Sequence, residues 1–389
     1  MSILEGVLFS TALFAFVAER LWQQKRNPSH TFLSNKPLDI LIIVSFCWGF
    51  ISLVNAIDRS YSFSAFIHKI GKQYLFYFLA FHFVREVASD NRKIRKILLP
   101  LSFVTVIMSI SGCYQFFQNP GILTSRAIGF TGSYQRLSML LVIGLPMVIC
   151  CAVTFRGWFK WVLFWSLPII LLALFFTFTR SGWIAVSVEA LVLSGIFYKK
   201  YMRFVLAGFL IALVIILVLF KLSLIPRELI IHGSESQQGR IEALRLSLNI
   251  IRDHPIMGIG MGKKTFSLYY PEVSIVKHSH NLFLNTAIEA GIPGLLIMLL
   301  IIFTILRKFS RAVRTERMYE RKVLLAGILV SIIGFMTYNM FDYMYYGWSG
   351  QMFWILIGVG SALIANSEHP STLAFVENTS HRYSNVYGR

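Results

Sequence analysis

Apolar residues run along this chain in long unbroken blocks, not in alternation with polar ones. Blocks lie near residues 2–21, 38–57, 70–88, 97–118, 137–155, 159–178, 181–198, 203–222, 282–306, 323–341 and 350–366. Each approaches the roughly 20 residues a helix needs to cross a bilayer core. Lipid offers backbone groups no water, so a spanning segment must be a helix or part of a closed barrel. Continuous blocks point to helices. The pattern predicts an all-α, polytopic integral membrane protein of eleven or twelve spans. One transmembrane domain covers 1–366, and a polar cytoplasmic tail covers 367–389. Met1 to Trp22 has no basic leading region and no small-residue cleavage site, so it is expected to be a retained helix and not a signal peptide.

The polar positions between the blocks set orientation. Loops 23–37, 89–96, 156–160, 199–203 and 307–322 hold 19 Lys and Arg, whereas the alternate loops 58–69, 119–136, 179–180 and 342–349 hold 5. The positive-inside bias places the first set in the cytoplasm, with the N-terminus outside and the C-terminus inside. Composition agrees: 56% of residues are hydrophobic and 14% charged, where soluble domains carry about a quarter charged. The net charge of +19 sits mostly in short loops. Topology accounts for it, and nucleic acid is not implied as a partner. Cys47, Cys113, Cys150 and Cys151 all lie in apolar blocks without metal or disulfide spacing, and serve as small apolar side chains.

The longest hydrophilic stretch, Leu222 to Ser279, makes 222–281 a large loop on the outer side. In RIEALRLSLNIIRDHP, Ile241, Leu244, Leu248 and Ile251 recur at helical spacing, with Arg245, Asn249 and Arg252 on the other face. This predicts an amphipathic helix that begins at Arg240, lies on the membrane or the bundle, and stops at Pro255. The glycines of GIGMG (258–262) have no βαβ unit around them, so a flexible turn is expected there and not a dinucleotide site.

The candidate chemistry lies on the same side. In HSHNLFLNTAIEAG (278–291), Asn281, Asn285 and Glu289 share one helical face, with His280 at its start. A polar stripe entering a membrane is costly unless it faces a cavity or a partner. It either lines a wet pocket or, more plainly, caps the helix and bonds neighbouring helices. His278 and His280 lack the accompanying ligands of a zinc helix, so no metal or other cofactor is expected. Arg180 occupies a tight hairpin in TFTRSGWIA, where a terminal arginine can also simply snorkel. Arg240, Arg126 and Arg136 fall on the outer side too. Several outer arginines in an inside-positive protein call for an anionic ligand, which guanidinium forks bind bidentately. A helix N-terminus at Arg240 would add backbone donors. Arg180, Arg240 and His280 together suggest phosphate recognition beside a general base, with Arg126 and Arg136 as further candidate anion contacts.

These strings also resemble the bacterial O-antigen ligase and O-antigen polymerase superfamily, ligases most closely. The matching pieces are FTRSGWIA (178–185), the GR at 239–240 with its helix, HPIMGIGMG (254–262) and HNLFLNTAIEAGIPGLL (280–296), in order across the C-terminal half. GFTGSYQRLSM (129–139) loosely matches the family's glycine-rich loop, with Gln135 and Arg136 where an asparagine is common. The resemblance implies a GT-C-like, metal-independent, inverting glycosyltransferase facing the periplasm from the bacterial inner membrane. It implies a glycan donor on undecaprenyl diphosphate and an acceptor hydroxyl on the lipid A core. Arg180 and Arg240 would then hold the diphosphate, and His280 would be the base. A polymerase with a second lipid-linked glycan as acceptor, and a ligase that glycosylates protein, share these features. Outside the resemblance, a transporter of anionic solutes would use the arginines as a vestibule, though such proteins favour midplane charges and repeated halves. A structural assembly subunit would use none of these residues.

Overall fold

A computed structural model describes residues 36–87, 91–118, 126–197, 227–262, 264–271 and 278–368. The expected spans at 2–21 and 203–222, and all but the start of the 367–389 tail, lie outside the described residues. Among the described residues the chain is helical without strands. In order come α1 (Lys36–Ser52), α2 (Arg59–Phe66), a π-helical turn (Ile67–Gly71), α3 (Lys72–Val87), α4 (Asn91–Gln118), α5 (Tyr134–Thr154) and α6 (Trp158–Phe176). Then follow α7 (Arg180–Phe197), α8 (Arg227–Asp253), α9 (Thr265–Tyr269), α10 (Leu282–Thr315), α11 (Tyr319–Phe341) and α12 (Trp348–Glu368). Eight are long and apolar enough to cross a bilayer: α1, α4, α5, α6, α7, α10, α11 and α12. The protein is an all-α polytopic membrane protein.

The expected span at 70–88 needs correction at its start. Helix α3 is continuous with α2 through the π turn. Residues 59–69 are therefore helix and not loop. Lys69, counted above as a loop charge, is a buried residue of that helix.

Helices α5 and α11 form the centre. They pack on each other, α5 also meets α4 and α6, and α11 also meets α7 and α10. Leu137 to Val148 of α5 are buried without interruption. Between apolar helices in lipid, association depends on close packing, and small residues permit it. Gly182 of α7 faces Ser138 of α5, and Gly327 of α11 faces Cys150 of α5. Helix α6 instead presents Trp158, Trp161, Phe164 and Trp165 outward, as a lipid-facing helix should.

Helix α10 is broken. Gly291 has φ 70° and ψ −178°, which ends a first segment of Leu282–Ala290. Pro293 follows it and cannot donate. Backbone groups freed inside a membrane protein must find partners in the protein. The HPIMGIGMG segment supplies them. Ile292 N–H donates to the Pro255 carbonyl (2.7 Å), and Ile259 N–H donates to the Ile288 carbonyl (2.9 Å). The Trp48 indole N–H caps the Ala290 carbonyl at 2.8 Å. A Cβ at Gly291 would run into the Ile256 carbonyl, and one at Gly262 would meet the Tyr61 ring. The glycine-rich segment is thus a wedge packed into the break, not the flexible turn expected.

Helix α8 also departs from expectation. It begins at Arg227, so Arg240 lies mid-helix and offers no free backbone donors. Its buried face is Ala243, Leu246, Ser247 and Ile250, packed with Ile259, Phe266 and Ile288. Ile241, Leu244 and Leu248 are exposed. The helix carries two apolar stripes, of which Ala243, Leu246 and Ile250 pack toward α10, while Ile251 of the expected stripe is half-buried beside them.

Candidate active site

The polar groups concentrate at the end of the bundle where α10 begins and α11 stops. Asn281 is the N-cap of α10, and its carboxamide oxygen accepts from the N–H groups of Phe283 (2.8 Å) and Leu284 (3.1 Å). Its amide also donates to the Met340 carbonyl at 2.9 Å, tying α10 to the end of α11. Just before the cap, His280 adopts φ 50°, a left-handed conformation uncommon outside glycine. The other non-glycine residue with positive φ among the described residues is Phe178 (49°), two residues before Arg180. Both turns that carry candidate residues therefore hold backbone strain of a kind that clusters at functional sites.

His280 Nδ1 lies 3.4 Å from Asp342 Oδ1. Asp342 is 3% exposed, and its carboxylate also accepts from the Tyr343 N–H (2.8 Å) and the Gln135 amide (3.2 Å). Burial alone would raise the Asp342 pKa. The His280 contact, the Tyr343 N–H and the nearby His278 outweigh it and hold the carboxyl below its ordinary value. An ionised carboxylate only accepts, so Nδ1 of His280 carries the proton. In a neutral imidazole with that tautomer, the lone pair lies on Nε2, the arrangement a general base requires.

Arg180 opens α7 and is exposed. Its turn is held by the Thr177 hydroxyl on the Leu174 carbonyl (2.6 Å) and by the Thr179 N–H on Thr177 Oγ1 (3.3 Å). Ser181 lies beside the Tyr338 hydroxyl, one turn before Asp342 on α11. Arg180 and His280 therefore belong to the same end of the bundle. Arg126 stacks its guanidinium 4.4 Å over the Tyr134 ring, and the Ala127 N–H donates to the Phe176 carbonyl (2.9 Å), so this loop sits beside the α6–α7 turn. Arg136 is exposed on the first turn of α5. Arg240 is exposed on α8, on a helix that reaches α10 through Ile288.

The rest of the polar stripe turns inward. Glu289 is 2% exposed and pairs with Lys69. It also accepts from the Tyr346 hydroxyl, the Asn285 amide (2.8 Å) and the Gly262 N–H (3.2 Å). Lys69 Nζ faces the rings of Tyr346 (4.4 Å), Tyr343 (5.4 Å) and Tyr345 (5.9 Å). Burial, then the charge of Glu289, pushes the Tyr346 hydroxyl well above its ordinary range, so it remains a neutral donor. Glu289 and Lys69 also line a cavity of about 60 Å³ with Ser45, Trp48 and Tyr74. Asn285 and Glu289 bond neighbouring segments, and Glu289 borders this cavity as well, so the stripe has features of both expectations.

Over residues 165–299 the chain matches the O-antigen ligase family. No curated protein matches it. The O-antigen ligase segment contains Arg180, Arg240, His280, Asn281, Asn285 and Glu289, and leaves out Arg126, Arg136, Lys69 and Asp342. It supports a membrane glycosyltransferase of the O-antigen ligase and polymerase type.

Asp342, Lys69 and Gln135 were not singled out for chemistry by the sequence. The loop 342–349 holds no Lys or Arg, so a count of basic residues passes over its one acid. The available signal was an aspartate directly after a 23-residue helix in a chain with only 18 acids.

Proposed function

We propose that the protein transfers an O-antigen glycan from undecaprenyl diphosphate to a sugar hydroxyl of the lipid A core. In this reading the His280 end of the bundle faces the periplasm, the protein sits in the bacterial inner membrane, and 222–281 is a periplasmic loop. His280 Nε2 takes the proton of the acceptor hydroxyl as its oxygen attacks the anomeric carbon from the face opposite the diphosphate. Arg180 and Arg240 hold the diphosphate and stabilise the charge that grows as it leaves. A preorganised donor to such a charge is worth about 3–4 kcal/mol. A positioned base contributes ~10²–10⁴-fold.

The observation that carries this reading is the His280–Asp342 pair, in which Nδ1 faces the carboxylate and Nε2 is left for the acceptor hydroxyl, at the end of the bundle where Arg180 opens α7. The matched segment spans all three proposed residues. Arg240 is the least constrained of them, since its side chain is exposed and its helix supplies no terminal donors.

The test is glycan transfer in cells carrying His280→Ala, Arg180→Ala or Arg240→Ala, with membrane levels checked by immunoblot. Each variant is expected to lose transfer at normal abundance. Wild-type transfer by all three ends the proposal. A null strain that accumulates polymerised but unattached glycan identifies a ligase, and one with only single repeat units identifies a polymerase.

A further inference from the structure

Beyond the break at Gly291, the second segment of α10 runs from Ile292 to Thr315, about 36 Å of helix. A bilayer core is roughly 30 Å thick, so the last turns of this segment reach the level of lipid head groups. Its outward positions form one line. Ile292, Leu296, Leu299, Leu300 and Phe303 are exposed, as side chains that face acyl chains should be. The same line then changes character. From residue 304 to residue 314 the exposed positions are Arg307, Arg311 and Arg314, spaced i, i+4 and i+7 on one face. The opposite face stays buried through these turns, with Ile305, Phe309 and Val313 against the bundle. The Phe309 ring fills the space that a Cβ on Gly360 of α12 would take. A packed helix, not a frayed end, therefore holds the arginines in register with the apolar line.

None of the three arginines has an ion-pair partner among the described residues. The acid nearest in sequence, Glu316, is engaged elsewhere: its carboxylate accepts from the Met318 N–H (3.0 Å) and the Ser367 hydroxyl (2.9 Å). Helix α11 starts at Tyr319, close after these arginines, and ends beside His280, about 34 Å of helix away. The arginine line thus lies at the far end of the bundle from the candidate active site. The positive-inside bias accounts for basic residues here, but it is indifferent to the face they occupy. Other basic residues nearby turn inward: Lys308 is half-buried, and Arg321 is buried and donates to the Ser367 hydroxyl (3.1 Å). Three unpaired arginines in line with a lipid-facing stripe call for an anion that comes from the lipid.

We propose that Arg307, Arg311 and Arg314 form a docking site for the phosphate of an anionic phospholipid, whose acyl chains lie along Leu296, Leu300 and Phe303. The guanidinium forks pair with phosphate oxygens. Their aliphatic stems lie on the helix and carry the charge to the head-group level. The site goes beyond the transferase reading and does not depend on it.

Two measurements on the full-length protein test this. In the first, protein in neutral detergent is titrated with phosphatidylglycerol or with phosphatidylcholine, and bound lipid is counted by native mass spectrometry. Three basic residues at an anionic surface are worth on the order of 10²-fold in affinity. Wild type should prefer phosphatidylglycerol by about that factor. The triple variant Arg307→Gln, Arg311→Gln, Arg314→Gln should lose the preference. A second triple variant, Arg156→Gln, Lys160→Gln, Arg317→Gln, removes the same charge from other exposed positions and should keep it. Equal losses in the two variants, or no preference in wild type, overturn the site. The second measurement uses wild type alone and so stands even if a variant fails to fold. Photoactivatable phosphatidylglycerol in phosphatidylcholine nanodiscs should label residues 296–314. Unlabelled phosphatidylglycerol should compete, extra phosphatidylcholine should not, and added salt should weaken the labelling by screening. Labelling only elsewhere, or equal competition by both lipids, overturns the proposal.

Discussion

Lys69 and Glu289, 220 residues apart, form a buried ion pair that joins the π turn of one helix to the first segment of another. Around it the Tyr346 hydroxyl, the Asn285 amide and the Gly262 N–H complete the carboxylate's partners. The pair therefore links four separate stretches of chain, including the loop that carries Asp342. Such a pair is weak evidence of net stability, because both charges lose their water. Breaking one partner is another matter, since it leaves an uncompensated buried charge and costs about 3–5 kcal/mol. Glu289→Gln keeps an acceptor for the neutral donors but strands the ammonium, so it should lower the unfolding temperature sharply. Adding Lys69→Met should recover at least half of that loss. Thermal unfolding in detergent checks this, and a double variant no better than Glu289→Gln would show that the charge is not what matters.

The second prediction concerns the imidazole. In Asp342→Asn the new amide can donate to Nδ1 and so favour the tautomer with its proton on Nε2. The base then has no lone pair to offer. Glycan transfer should fall about 10²-fold or more, the scale of a positioned base. The loss should appear in the turnover rate, with the KM for donor little changed, and Asp342→Glu should restore part of it. A loss confined to KM would place Asp342 in donor binding instead.

How much of this was legible depends on distance along the chain. Eight spans and their order among the described residues followed from the apolar blocks, because a membrane makes hydrophobic length nearly decisive. The Asn281 cap and the Asn285–Glu289 pair were visible as one face, because helical spacing is local. Lys69 was not: its partner is 220 positions away, and in one dimension it looked like a loop charge. Asp342 likewise gains meaning only when α11 ends beside α10. In α8, periodicity showed one apolar stripe, but the helix carries a second, and Ala243, Leu246 and Ile250 sit inward while Ile241 does not. The wedge of HPIMGIGMG could not be foreseen without the break at Gly291 that it fills.

Asp342 also sets a pH dependence. Its folded-state pKa is depressed below 3.8. Its stabilising contribution is therefore complete above the unfolded value and is lost as pH falls through the folded one. At about pH 5, above the range where free carboxyls titrate, the carboxylate's contribution should be fully present in the difference between wild type and Asp342→Asn. Below about pH 4, where free carboxyls titrate, that difference should shrink. Unfolding temperatures of both proteins across pH 3–7 give the comparison. A difference that instead grows in acid would mean that Asp342 is protonated in the folded protein.

The last prediction separates backbone strain from close packing at two glycines of similar φ. Gly291 (φ 70°) and Gly347 (φ 75°) both sit where L-residues are disfavoured. At Gly347 a Cβ would meet nothing within 4 Å. Gly347→Ala should therefore cost only the left-handed conformation, about 1–2 kcal/mol. At Gly291 the Cβ would collide with the carbonyl of Ile256, a backbone atom that cannot swing aside. Gly291 also has extended ψ at positive φ, a region that is almost exclusively glycine's. Gly291→Ala must then push the wedge out of the break, which exposes the Ile292 N–H and the Ile288 carbonyl that it satisfies. Each stranded buried group adds about 1–3 kcal/mol. The variant should lose several times the stability that Gly347→Ala loses. It should also become cleavable by protease within 254–262, while Gly347→Ala remains intact there. Equal stability losses, with the segment protected in both, would mean that the wedge is not what closes the broken helix.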